Sequence, residues 1–156
     1  MPIPPYNVNT IDDALPADGA ADVYETTLKR LVASNVVAKS LATGFPKFDL
    51  VLLDMGPDGH VASLFPEHPT LNETKKWVTF LKNAPTAPPE RITFTLPVIN
   101  ASSNIAMVVT GAGKADAVYS ALEEAPSDYK LPAQLVSPRE GELKWFLDKG
   151  AASRLW

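Results

Sequence analysis

The sequence has no cysteine, no long apolar run and no excess of basic charge. Without cysteine there can be no disulfide bond and no thiol chemistry, which suits a reducing compartment. No apolar run approaches the roughly 20 residues that a transmembrane helix needs, so we expect no membrane partner. The net charge of −4 comes without a basic cluster, which argues against a nucleic-acid partner.

What the chain does contain is enough apolar side chain for one folded domain. Its 156 residues are 46% hydrophobic, which is ordinary for a globular protein and too much for a disordered one. Its 15 prolines stand between the apolar runs and therefore predict many loops. We expect a single domain over residues 1–156.

Apolar runs and amphipathic stretches follow one another along the chain. Helices are predicted by apolar residues three and four positions apart, and strands by short apolar runs or by alternation. The predicted helices are 20–34, 115–124 and a stretch near 140–149, and the predicted strands are 50–53, 76–81, 91–96, 105–110 and 134–136. This order indicates an α/β fold with a largely parallel sheet. The continuous apolar run at 50–53 predicts a strand buried on both faces.

The stretch of residues 48–66 organises the rest of the chain. A tight loop at residues 55–59 follows the first apolar strand, and apolar residues at spacings of three and four after it predict a short helix that begins near Asp58. Open α/β sheets bind ligands in such loops, at the carboxyl ends of their strands. His60 would then lie in the first turn of a helix, where the dipole favours a neutral imidazole that can accept a proton.

Three further charged side chains are candidates for this site. Asp58 could cap the predicted helix or orient His60, and the sequence does not distinguish these two roles. Lys114 closes a Gly-Ala-Gly-Lys turn between a strand and a helix, which fits an anion such as phosphate but lacks the spacing of a nucleotide-binding P-loop. Arg91 could be a second anion contact, although the spacing alone favours a surface arginine paired with Glu90. The histidines have no metal-ligand spacing.

Three motifs resemble those of one enzyme family. Residues 54–66, with the sequence DMGPDGHVASLFP, closely resemble the signature of the 6-phosphogluconolactonases, which share a superfamily with glucosamine-6-phosphate deaminases and isomerases. Residues 89–100 and 109–115 look like later motifs of the family in the same order, and the similarity to plant members extends over essentially the whole chain. The deaminase branch carries an acidic residue where this chain has Phe65. A phenyl ring cannot transfer a proton, so the lactonase branch is favoured.

The resemblance implies a fold, a reaction and a set of site residues. The fold would be a Rossmann-like three-layer α/β sandwich. The reaction would be the hydrolysis of 6-phospho-D-glucono-1,5-lactone to 6-phosphogluconate in the pentose phosphate pathway, without metal or cofactor. His60 would be the general base, and turn amides would hold the oxyanion. The site residues that the resemblance implies are His60 and Asp58 for catalysis and Lys114, Arg91, Gly56 and Gly59 for binding.

Members of the family normally carry an upstream half with the first strand, a glycine-rich phosphate loop and an Asp-Glu-Arg segment. This chain resembles the later part, so we expect a partial domain that lacks the N-terminal strands, exposes a strand edge and has little activity alone. The alternative is a truncated, inactive homologue that acts as a binding or regulatory module. The cytosol is the default compartment, and a plastid location would require an upstream transit peptide. The sequence predicts no oligomeric state.

Overall fold

The computed structural model describes residues 2–123 and 129–155. Within them the helices and strands follow in this order: α1 (Ala17–Ala33), β1 (Ala38–Lys39), β2 (Pro46–Lys47), β3 (Val51–Leu53), β4 (Val78–Leu81), β5 (Arg91–Phe94), α2 (Leu96–Asn100), β6 (Asn104–Val109), α3 (Ala115–Leu122), α4 (Pro132–Leu135) and β7 (Glu142–Leu147). Short 3₁₀ turns lie at Pro5–Asn7, Pro69–Asn72 and Ala112–Lys114. No helix in these ranges has the length and apolar character needed to cross a membrane.

β3, β6 and β7 form a parallel sheet with β6 in the middle. Val51 pairs with Ile105, and Ile105 pairs with Leu143 on its other side. The prediction of an α/β fold with a parallel sheet is therefore confirmed. Because parallel strands end at the same edge, the segments that follow β3, β6 and β7 all begin at the carboxyl edge of this sheet.

One face of the sheet carries the main hydrophobic core. Leu53, Met107 and Val109 point to this face from β3 and β6. They pack with residues of α2 and α3 and with the segment that follows β3, where Met55 and Leu64 are fully buried. The segment after β3 is thereby anchored to the sheet through its apolar side chains.

The opposite face of the sheet is bare in the described residues. Leu50, Leu52, Val108 and Phe146 are exposed there, and Leu52 keeps 68% of its surface in solvent. The prediction that the run at 50–53 is buried on both faces is therefore wrong. A continuous apolar run cannot show whether the elements that would cover its second face belong to the same chain, and the described residues cover only one face.

A second, smaller core forms where α1 packs on the antiparallel hairpin of β4 and β5. Its buried members are Ala21, Leu28 and Val78. Glu25 of α1 also joins helix and hairpin, because its Oε2 accepts hydrogen bonds from the amides of Trp77 and Val78 at 2.8 and 3.0 Å. Hydrogen bonds to a carboxylate are stronger than neutral ones, so Glu25 helps to hold the helix against the hairpin.

Several predicted elements are confirmed with ends that differ by a few residues. They are the helix at 20–34 and the strands at 76–81, 91–96 and 105–110. The helix predicted from residue 115 is α3, and residue 124, its predicted end, lies outside the described residues.

Near the carboxyl end of the chain, two predictions are wrong. Residues 134 and 135, predicted as strand, belong to α4, which begins at Pro132, and proline suits the first turn of a helix. Residues 140–149, predicted as helical, contain β7 instead. Leu143 and Trp145 alternate there with more exposed residues, which is the period of a strand.

Candidate active site

The segment that carries His60 is a closed turn and not a helix. The amide of Gly56 donates to the carbonyl of His60 at 2.9 Å, and the amide of Gly59 donates to the carbonyl of Gly56 at 2.9 Å. Met55 and Val61 pair across the base of the turn. The predicted helix at this point is therefore wrong, and so is the dipole argument for His60. The apolar residues whose spacing suggested a helix belong to a compact turn, and their side chains are buried.

Asp58 lies beside the ring of His60. Its Oδ1 is 2.5 Å from Nδ1 of the imidazole and also accepts the His60 amide at 3.2 Å. A carboxylate can only accept, so Nδ1 carries the proton and Nε2 is the ring atom that can take one from water. Because no helix begins here, the structure favours orientation of His60 over helix capping as the role of Asp58. The pair has the arrangement of an acid-oriented histidine base.

Phe65 and two glycines fix the position of this pair. The His60 ring packs on the fully buried ring of Phe65, with 4.4 Å between centroids. Gly56 lies against the imidazole, and a Cβ there would press on the ring and come within 2.7 Å of Oδ1 of Asp58. Gly59 has a φ of +82°, which an L side chain rarely adopts. Both glycine amides donate inside the turn, so the structure gives these glycines steric roles, and an oxyanion would need other donors.

His60 forms part of the wall of a cleft along β3. The cleft has a volume of about 530 Å³ and is lined by Phe48, residues 50–54, His60, Ala62 and Phe94. The His60 side chain keeps 20% of its surface in solvent. Clefts of roughly 300–1,000 Å³ hold small organic ligands, so this one has room for a sugar-sized substrate beside the histidine.

Lys114 reaches the same edge of the sheet from the turn after β6. Its Nζ contacts both carboxylate oxygens of Asp54 at 2.7 Å. Asp54 directly follows β3 and lines the cleft together with His60. The ammonium therefore lies beside the cleft with a counter-ion that a substrate anion would share or replace. Sequence reasoning missed Asp54 as a member of the site, although its place directly after a parallel strand was a usable signal.

Arg91 is bonded to a loop and not to Glu90. Its Nε and Nη2 donate to backbone carbonyls of residues 86–88 at distances of 2.9–3.1 Å. Glu90 instead accepts the amide of Ala17 at 3.3 Å, so the pairing that spacing alone favoured is wrong. The guanidinium carbon lies 5.2 Å from the centroid of the Phe65 ring, which is also the ring on which the histidine packs. Arg91 is thus a neighbour of the site whose guanidinium also braces a loop.

The fold and the site together define a Rossmann-like α/β protein with an aspartate-oriented histidine and a lysine at the carboxyl edge of a parallel sheet. Among the residues that the structure describes, no group of three or more His, Asp or Glu side chains is placed to hold a metal ion. The chain belongs to the family described as "Glucosamine-6-phosphate isomerases/6-phosphogluconolactonase", whose model matches residues 1–145. The resemblance drawn from the three motifs is thereby confirmed.

Two plant relatives and one solved structure show the extent of the likeness. The chain is 59% identical over 156 residues to "Probable 6-phosphogluconolactonase 4, chloroplastic" of Oryza sativa subsp. indica. This match covers 99% of the chain and 48% of the relative. The chain is 49% identical over 154 residues to "Probable 6-phosphogluconolactonase 1" of Arabidopsis thaliana, covering 97% and 58%. The crystal structure of 6-phosphogluconolactonase from Leishmania guyanensis matches with a TM-score of 0.79 and 25% identity, covering 99% and 64%. The chain spans about half the length of these curated relatives.

Proposed function

We propose that the whole protein hydrolyses 6-phospho-D-glucono-1,5-lactone to 6-phosphogluconate. The observation that carries this proposal is the Asp58–His60 pair at a cleft on the carboxyl edge of the sheet, with Lys114 beside it. Lactone hydrolysis needs a group that takes a proton from water and then returns it to the leaving oxygen, and an oriented histidine can do both. Family membership and the names of the relatives support the same reaction.

The reaction would proceed in two steps at His60. Water attacks the lactone carbonyl while Nε2 of His60 takes one of its protons, and the carboxylate of Asp58 stabilises the imidazolium that forms. The tetrahedral intermediate then collapses with cleavage of the bond between the carbonyl carbon and the ring oxygen. The imidazolium returns its proton to that oxygen, which becomes the hydroxyl of the open-chain acid.

The phosphate of the substrate would be held by Lys114. Its ammonium now bonds to Asp54, and a phosphate offers three strong acceptor oxygens in place of two. Arg91 is the second proposed contact, and its Nη1 group would make it, since Nε and Nη2 hold the loop at 86–88. Both contacts would tether the end of the substrate that does not react.

Two other functions were open from the sequence. Sugar-phosphate isomerisation needs an acidic residue where the chain has Phe65, and that ring is fully buried and supports His60. An inactive binding or regulatory module is favoured by one observation, which is the bare face of the sheet, on which Leu52 is exposed. A measurement of lactone turnover by the whole protein distinguishes a binding module from an enzyme.

The compartment and the domain boundary are separate proposals. The relative named chloroplastic is 59% identical to this chain, and the relative whose name carries no compartment is 49% identical. This difference supports a plastid location for the whole protein over the cytosolic default. A fluorescent tag at the carboxyl end of the full reading frame tests it. We also propose that residues 1–156 form one partial lactonase domain.

The test of the reaction uses what we term the completed chain, which is this chain preceded by the upstream half of the rice relative. Acid release from freshly prepared lactone measures turnover. His60→Ala should lower kcat by about 10²–10⁴, the usual contribution of a general base, and leave the melting temperature nearly unchanged. His68→Ala is the matched control, because that ring bonds to Thr70 and Asn83 and does not line the cleft. A folded completed chain without turnover would favour the binding module.

A further inference from the structure

Asp148 directly follows β7, at the sheet edge where the site lies. Its Oδ1 and Oδ2 accept the amide of Gly111 at 3.0 and 3.1 Å, and Oδ1 also accepts the amide of Ala151 at 2.7 Å. One carboxylate thus ties the turn that follows β7 to the turn that follows β6. The sequence did not indicate Asp148 as a site residue, because a helix was predicted at 140–149 and therefore no strand was expected to end there.

Gly111 is the first residue of the turn that ends at Lys114. It has a φ of +96°, and its carbonyl accepts the amide of Lys114 at 3.1 Å. Gly111 is therefore bonded through both of its backbone groups, by its N–H to Asp148 and by its C=O to Lys114. The place of the lysine backbone relative to the sheet follows from where the carboxylate holds Gly111.

Gly150 supplies a second contact between the same two turns. A Cβ on this residue would lie 2.9 Å from the amide nitrogen of Ala112 and 3.3 Å from the carbonyl carbon of Gly111. Only a glycine permits backbone contact this close. Ala151 is fully buried in the main core, so the turn after β7 is itself a fixed support. The hydrogen bonds from the amides of Ala151 and Gly111 hold the pKa of Asp148 below its ordinary value and keep the carboxylate charged.

We propose that Asp148 is a positioning residue for phosphate binding, which holds the Gly111 turn so that Lys114 points beside the cleft. The proposal rests on the proposed function, in which Lys114 contacts the phosphate of the substrate. Asp148 does not line the cleft, and its carboxylate is already bonded to the amides of Gly111 and Ala151. Its effect on affinity must therefore pass through the lysine, and this gives the proposal a consequence that a merely stabilising residue does not share.

The test measures the affinity of the completed chain for 6-phosphogluconate by calorimetry. Asp148→Ala should weaken binding about tenfold, which corresponds to one misplaced charge-assisted contact. Asp148→Asn keeps an oxygen at the Oδ1 position for both amides but sets its NH2 group against the Gly111 amide, so it should recover part of the loss. Glu142→Gln is the control, because that exposed carboxylate lies at the other end of β7. Lys114→Ala should remove the effect of Asp148→Ala when the two are combined.

Other outcomes overturn the proposal. Additive losses in the combined variant, or unchanged affinity in a folded Asp148→Ala chain, would show that Asp148 does not act through Lys114. If Asp148→Ala fails to fold, Gly150→Ala replaces it, since its methyl pushes the Ala112 amide while the carboxylate stays. Unchanged affinity in that variant also overturns the proposal. A third outcome separates the two proposals. If the chain binds 6-phosphogluconate in a way that depends on Asp148 but does not turn over lactone, the proposed function is contradicted and the role of Asp148 is supported.

Discussion

Replacement of Gly56 by alanine tests whether the turn around His60 is built for the imidazole. The new methyl group would press on Cε1 and Nδ1 of His60 and lie 2.7 Å from Oδ1 of Asp58. Carbon atoms at optimal contact are about 3.5–4.0 Å apart, so the ring must move away from position 56. The hydrogen bond of 2.5 Å between Nδ1 and Oδ1 would break or lengthen with that movement.

The size of the effect follows from the geometry. A ring displaced by about 1 Å loses its alignment with the attacking water, and such a misplacement costs about 10²-fold in rate. The kcat of the completed chain with Gly56→Ala should therefore fall about 10²-fold, and by no more than in His60→Ala. Overpacking of this kind lowers the free energy of unfolding by about 1–3 kcal/mol. KM should change little, because the phosphate contact at Lys114 is elsewhere.

The control for this variant is Gly113→Ala. A Cβ at Gly113 would have no atom within 4 Å, so the same substitution near the same sheet edge should leave kcat unchanged. Proton NMR of the imidazole Nδ1–H reports on the bond to Asp58 without any need for turnover, and its signal should shift in Gly56→Ala alone. A Gly56→Ala chain that keeps the parent kcat and the parent signal would refute the steric reasoning.

Three other predictions concern the phosphate contact, the helix α1 and the bare face. Lys114→Ala should raise KM for the phosphorylated lactone through loss of a contact worth about 1.5–3 kcal/mol, and equal losses on unphosphorylated gluconolactone would contradict this. Burial raises the pKa of Glu25, but bonds from Lys29 and from the hairpin amides outweigh it and lower that pKa. Its stabilisation is then complete at neutral pH and is lost as pH falls through the lowered pKa of Glu25, so Glu25→Gln should flatten the acid side of a Tm-against-pH curve. Leu52→Lys should reduce self-association in sedimentation, and Leu41→Lys, at a fully exposed position off the sheet, should not.

Most of the candidate site was within reach of the sequence because it is contiguous. Asp58 and His60 are two residues apart, and a short turn brings them together whatever the rest of the chain does. The contact between Lys114 and Asp54 spans 60 positions, and it exists only because β3 and β6 are parallel neighbours. Spacing alone could assign an anion site to the lysine but could not supply its counter-ion.

The wrong predictions have two physical sources. Apolar spacings of three and four over a few residues fit a helix and a buried turn equally well. Val61 and Leu64 belong to such a turn, and their side chains are buried in the main core. At the carboxyl end, the stretch near residues 140–149 is predicted as helical. Pairing with β6 makes it a strand instead, because it places Trp145 opposite Met107 of the buried core.

The bare face of the sheet and the cleft beside His60 share a wall. Leu50 and Leu52 are exposed on that face, and both also line the cleft. Any element that covers this edge of β3 therefore becomes the second wall of the pocket. Ligand binding and the docking of that element would strengthen each other by the same factor, as reciprocal linkage requires. Bound substrate would hold the covering element against the sheet. The affinity for substrate would then report how much of the protein has that element docked on β3.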